Sequence, residues 1–311
     1  MTRLLYIAAL LCLGAIGRAQ SIDNPITPED WAFLETMEDS LGVLGYAIVN
    51  DSVPENRFGS VYAFIPMLVR ALRTPNSFHY PFAQLNTVSI QYAADSTFRI
   101  LTWQLFVDRD DYRYFGAIQM NTPELKLFPL RDRSDSFSGN LEEARFTPED
   151  WYGAIYYKVY TVTDGPQPHY LLFGFDGYSF LRKRKYIDVL TFDEAGQPHF
   201  GAPVFVFPNP DSPRYPTTRN RIVLEYSAEA SVRCNYDEAL GIIIYDHLMT
   251  VSGNYGEGPT NIPDGTYEGF ELKDGRWQYI EKVFHEVMDE APRPEPILDV
   301  RTRDIMGRGG S

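Results

Sequence analysis

The chain has 311 residues, 44% of them hydrophobic and 23% charged, a balance that excludes a disordered or fibrous protein. A net charge of −14 argues against nucleic-acid binding, because an acidic surface repels phosphate backbones. The 21 Tyr and 20 Phe lean the composition towards strand, where bulky rings suit a pleated, half-buried surface.

Residues 1–19 read as a signal peptide. Arg3 supplies the positive start, and the apolar run Leu4 to Ile16 is too short to span a bilayer. Gly17 and Ala19 are small residues at the −3 and −1 positions of a cleavage site, which leaves Gln20 as the new N-terminus. Cys12 follows Leu10-Leu11 rather than a small residue, so lipidation is not expected. No later stretch is apolar enough for a transmembrane helix. Cleavage lowers Lys plus Arg from 28 to 26 against 42 acids, a mature charge of −16. Cys234 alone remains, so stability must come from core burial rather than a disulfide. The expected location is outside the cytoplasm: periplasmic, outer-membrane associated or extracellular.

Thr27-Pro28-Glu29-Asp30 carries an N-cap, a first-turn proline and two acids at the positive end of a helix dipole. Trp31, Phe33, Leu34, Met37 and Leu41 follow at helical spacing, so a helix is predicted from about Pro28 to Leu41, with Gly42 near its end. A second apolar stripe predicts a helix over Arg57 to Arg73, kinked or delayed by Pro66. Residues 20–85 thus form a small helical region. From Asn86 the period changes to two, and TFRILTWQLFV is apolar enough for a strand covered on both faces. Arg131 to Gly139 reads as a polar loop. Thr147 to Trp151 repeats Thr27 to Trp31, which reflects shared cap chemistry rather than a duplication.

Asp176-Gly177 and Asp274-Gly275 lie between apolar runs and predict two-residue hairpin turns. Asp193 to Gly196 sets off the run that continues through Pro203 to Phe207. RIVLEYSAEASVRCNYD reads as two strands about Ala228-Glu229, and Val251 to Gly265 as a long Gly-rich loop. Some thirteen strands over 86–285 make the fold mainly β. The expected architecture is an antiparallel up-and-down meander, curved, sandwiched or propeller-like, with the helical region at its N-terminal side. Residues 286–311 are rich in Pro and acid and read as a mobile or surface-draped tail.

The stretches TPEDWYGAIYYKVYTV, YLLFGFDGYSFLRKRKYIDVLTFDEAGQPHFGAPVF, RIVLEYSAEASVRCNYDEALGIIIYDHL and PDGTYEGFELKDGRWQYIEKVF resemble uncharacterised exported β-rich proteins of Gram-negative bacteria. The resemblance spans about Trp151 to Phe284. It implies an exported β architecture and no particular activity.

Motifs for chemistry are sparse. No two of the five His lie within five residues of each other, so there is no HExxH-type metal pair. There is no GxSxG and no P-loop, and Gly256-Glu257-Gly258 opens no helix. An EF-hand loop starting at Asp108 would need Gly and Glu where Arg113 and Gln119 stand. No cofactor or metal is expected. Asp246 and His247, at a strand end beside the 251–265 loop, are the catalytic candidates. Arg182-Lys183-Arg184-Lys185 runs against the global charge. Alternation puts Arg182 and Arg184 on one face and the lysines on the other. That pattern is either an edge strand protected by cations or a site for an anion or partner, with Arg182 and Arg184 as its binding candidates. Two functions follow. One is an exported, non-catalytic protein that binds an envelope protein or polysaccharide. The other is a hydrolase with an acid or metal site near Asp246, His247 and the 251–265 loop.

Overall fold

A computed structural model describes residues 25–284 except 166–167, 210, 213 and 254–257. The signal peptide over 1–19, the tail over 286–311 and Gly256-Glu257 lie outside the described residues. The protein is mainly β, 44% strand and 20% helix.

Helix α1 (Pro28–Asn50) starts as its sequence dictates: the Thr27 hydroxyl accepts the Asp30 N–H at 3.1 Å. It runs a further nine residues beyond the predicted end at Leu41. Gly42 is tolerated inside the helix, and Gly45 and Ile48 extend the buried face, Gly45 lying directly against Thr87. Helix α2 (Pro54–Leu72) passes through the exposed Pro66. At Thr147 the same cap chemistry yields one 3₁₀ turn over Pro148–Asp150, and the chain then enters a strand.

Strands β1 (Ser89–Tyr92), β2 (Phe98–Asp108), β3 (Asp111–Met120) and β4 (Leu127–Arg131) form a first antiparallel sheet in sequence order. Next come β5 (Ile155–Val162), β6 (His169–Asp176), β7 (Arg182–Phe192) and β8 (Pro198–Phe200). The second sheet has the order β11-β7-β6-β5, with β8 also on β7 and β11 covering Ile222–Ser227. The third sheet has the order β10-β9-β15-β14-β13-β12. Its members are β9 (Phe205–Phe207), β10 (Thr217–Arg219), β12 (Cys234–Asp237), β13 (Ile242–Ser252), β14 (Pro259–Lys273) and β15 (Arg276–Ile280). None of the sheets closes into a barrel.

Side-chain alternation stacks these elements in four layers. On β2, Leu101, Trp103 and Leu105 pack under the helices with Leu34, Phe64 and Leu68. Phe98 and Ile100 on the other face meet Tyr156, Tyr170, Leu172 and Leu190 of the second sheet. On β6, Leu171 and Phe173 turn the opposite way, against Phe205, Phe270 and Trp277 of the third. The second sheet is therefore an inner layer buried on both faces, which is why YLLFGF is an unbroken apolar run.

Four predicted features differ. The connection after Asp176 spans five residues, 177–181, not two. Tyr178 carries the positive φ, +44°, while a Cβ on Gly177 would lie 3.1 Å from the Tyr112 ring. That glycine answers a close approach rather than a turn. At Asp274-Gly275 both residues have positive φ, +51° and +73°, as a tight type I′ turn requires. The run through Pro203 divides between two sheets, because Gly201 (φ +91°) turns the chain against Ala144 O. β11 and β12 likewise belong to different sheets, so the meander crosses between layers. The predicted 251–265 loop is mostly strand, with Ser252 paired to Pro259 and Leu248 to Pro263.

Two buried polar networks tie the layers. Arg99 is 0% exposed and donates to Gln119 Oε1 (2.8 Å), Tyr80 O (2.6 Å), Tyr92 OH (2.7 Å) and Ser77 O (2.9 Å). Arg221 pairs with Asp188 at 2.9 Å, both nearly inaccessible, and also donates to Leu141 O at 2.7 Å.

Candidate binding groove

The helices cover β1 and β2 but leave part of the face of β3 and β4 open along α2. In antiparallel register, Leu105 stands opposite Arg113, and Phe115 opposite Arg131, so all four lie on the helix side of the sheet. Helix α2 supplies the facing wall through Phe58, Val61, Tyr62 and Ile65, spaced at i, i+3, i+4 and i+7. The cleft between them has a volume of about 490 Å³, within the ~300–1,000 Å³ range of small-molecule sites. Trp103 stacks on the floor residue Phe115 with centroids 5.8 Å apart and planes at 13°. One helical turn beyond Ile65 the same stripe reaches Val69 and then Arg73. These line a second basin of about 580 Å³ with Leu125 and Leu127.

Charge gathers at the first basin. Arg113, Arg131 and Arg133 line it, with Asp132 and Asp135. β4 ends at Arg131, and Arg133 stands two residues past it at the start of a 3₁₀ turn over Ser134–Ser136, where its N–H donates to Trp151 O. Arg113 and Arg133 are both exposed. The Asp132 carboxylate is held in place by Ser134 N (3.0 Å), Ser134 Oγ (2.7 Å), Gly153 N (3.2 Å) and Tyr114 N (2.9 Å). Arg131 holds Glu149 at 2.9 Å. Arg113 and Arg133 make no side-chain hydrogen bond or ion pair among the described residues. Burial and the nearby Asp135 raise the Asp111 carboxyl, and Arg113 offsets part of that shift.

The residues singled out from sequence lie elsewhere. Arg182 and Arg184 do share a partner: Arg182 Nη1 donates to Glu225 Oε1 (3.0 Å), and Arg184 Nη2 to Glu225 Oε2 (2.6 Å). Arg184 also donates to Tyr152 OH at 2.9 Å and stacks on the Tyr178 ring. Lys183 donates to Gly177 O and Ser179 O, and Lys185 to Val232 O. The basic run is thus not on an edge strand. β7 is paired on one side to β6 and on the other to β11, which brings Glu225 opposite Arg184. Arg184 lines a third cleft, of about 400 Å³, with Phe137, Glu142, Tyr152 and Tyr178, but its donors are already engaged.

Asp246 and His247 are not brought together. Asp246 is buried and accepts Arg233 N–H. The register shift between Asp246 and Leu248 leaves His247 40% exposed, with Nδ1 2.7 Å from Asp264 Oδ2 and Nε2 3.7 Å from Glu268 Oε1. Hydrogen bonds from Thr266, and then the imidazole, hold the Asp264 carboxyl down at about 2. Neither Asp246 nor His247 lines any of the clefts above. Among the described residues no cluster of three or more His, Cys, Asp or Glu is placed to hold a metal ion. No helix there is long and apolar enough to cross a membrane.

In the sequence no motif marks Arg113 or Phe115 as binding residues, and Arg131 and Arg133 read as part of a polar loop. The available signal was Arg131-Asp132-Arg133 standing as an isolated basic pair in an acidic chain. Compared with protein-family models, curated proteins and solved structures, the chain matches none.

Proposed function

We propose that this is an exported, non-catalytic binding protein that holds a component of the cell envelope in the groove between α2 and β3–β4. One observation carries the reading. An apolar trough carries at one end two exposed guanidiniums, Arg113 and Arg133, that make no hydrogen bond or ion pair among the described residues, so their donors are available to a ligand. Export rests on the Arg3 to Ala19 pattern of the sequence.

The test uses the neutral apolar dye Nile red with the protein lacking residues 1–19. Wild type enhances its fluorescence saturably. Ile65→Trp, which fills the trough, abolishes the enhancement while thermal unfolding stays cooperative. Equal enhancement by a folded Ile65→Trp variant, or none by wild type, overturns the proposal.

A further inference from the structure

Resting on that reading, we infer that the groove takes a single-chain amphiphile ending in a carboxylate. The head lies between Arg113 and Arg133, and the chain runs along Ile65 towards the Val69 basin. Three features specify this ligand.

The first is the head site. A guanidinium presents a rigid fork of donors that matches a carboxylate bidentately. Here two such forks, on Arg113 of β3 and on Arg133 just past β4, line one basin and donate to no group among the described residues. A carboxylate placed between them relieves their mutual repulsion and gives each a hydrogen-bonding partner.

The second is the sign and size of the head charge. Three arginines, Arg113, Arg131 and Arg133, line the basin against two aspartates, Asp132 and Asp135. That leaves an excess of one positive charge, which a monoanionic head balances and a dianionic phosphate exceeds.

The third is length. The stripe Phe58, Ile65, Val69, Arg73 advances fifteen residues along α2, about 22 Å at the helical rise. Both basins open on that stripe and offer it apolar walls, Val61, Ile65 and Phe115 in the first and Val69, Leu125 and Leu127 in the second, with Arg131 and Glu124 along the sheet side. An extended acyl chain matches a trough of that shape, whereas a compact ring system would occupy one basin only.

Displacement of bound Nile red tests the inference with dodecanoate, dodecanol and dodecyl phosphate as the competing ligands. Dodecanoate is expected to displace the dye from wild type at a concentration about tenfold or more below that of dodecanol, with dodecyl phosphate weaker than dodecanoate. Arg113→Gln with Arg133→Gln removes the advantage of the acid and leaves dodecanol unchanged. Dodecanol matching dodecanoate in wild type overturns the inference while leaving the groove reading intact. So does a folded double variant that retains the preference for the acid. Failure of all three ligands to displace a dye that is sensitive to Ile65→Trp has the same meaning, as does a concentration-dependent dimer that excludes the dye, since the occupant is then a second copy. Absence of any Ile65-sensitive dye binding removes the groove reading itself, and this inference with it.

Discussion

Arg99→Met is the most demanding test of how the first sheet is held. Arg99 sits in the first sheet with no exposure and no carboxylate partner. Burial accordingly lowers its pKa, although an arginine remains charged at neutral pH. Its compensation is four hydrogen bonds and three ring faces, those of Phe82 (5.3 Å), Tyr92 (5.6 Å) and Phe78 (5.7 Å). Methionine keeps the apolar stem but strands Tyr80 O and Gln119 Oε1, while Ser77 O still accepts the Tyr80 N–H. Each orphaned buried acceptor costs about 1–3 kcal/mol, so the two together cost about 2–6 kcal/mol. Removing the guanidinium also releases a desolvation penalty of several kcal/mol, which pulls the total towards the low end. A loss of about 2–4 kcal/mol is expected, a large share of the ~5–15 kcal/mol that holds a typical domain folded. Urea denaturation followed by tryptophan fluorescence measures it. Arg99→Lys should fall between the two, since an ammonium cannot reproduce the fork. A loss below about 1 kcal/mol for Arg99→Met, or a lysine variant as stable as wild type, refutes the reasoning.

Arg221→Met should cost about 3–5 kcal/mol by leaving Asp188 buried and unpaired. Adding Asp188→Leu should recover part of that loss in the same denaturation assay, through non-additivity between contacting residues. Cys234 is fully buried, and burial pushes its thiol up to about 12. It should therefore resist a thiol reagent at pH 8 in the folded protein and react at once in urea. The Asp264 carboxyl, held at about 2, should titrate by NMR well below the ordinary range. Because its folded pKa is depressed, the stability it contributes is present above the unfolded value and is lost as pH falls towards 2. His247→Gln should move that titration upwards, by less than the whole shift, because the Thr266 hydrogen bonds remain.

Local chemistry was legible in the sequence wherever one residue type admits one geometry. Thr27-Pro28 marked the helix start to the residue, and Asp274-Gly275 marked a tight turn. TFRILTWQLFV announced a strand covered on both faces, and β2 is one. Where glycine serves proximity, the same signs misled. Gly177 makes room for Tyr112, and Gly42 ends nothing. The loop reading of 251–265 failed because prolines at Pro259 and Pro263 can occupy strand positions that periodicity does not distinguish from turn. The groove was invisible for a different reason. It depends on Arg131 lying opposite Phe115, Arg133 sharing a basin with Arg113, and α2 lying over β2 rather than β4. Those are relations of register and layer, which no single stretch of chain encodes. The basic run at Arg182 was visible, but the acid that neutralises it enters forty-one residues after Arg184, on β11.

The last strand has a role out of proportion to its five residues. β15 lies between β14, its hairpin neighbour, and β9, about seventy residues earlier and parallel to it. β9 and β10 therefore have no route into their sheet until the chain has been completed as far as Ile280. Trp277, wholly enclosed, arrives as a keystone. Such distant closures slow folding, because a long loop must be gathered before the contact rewards it. Deleting Arg276 to Ile280 would not trim a border; it would split the outermost layer down its middle and release the β9–β10 hairpin as a free flap.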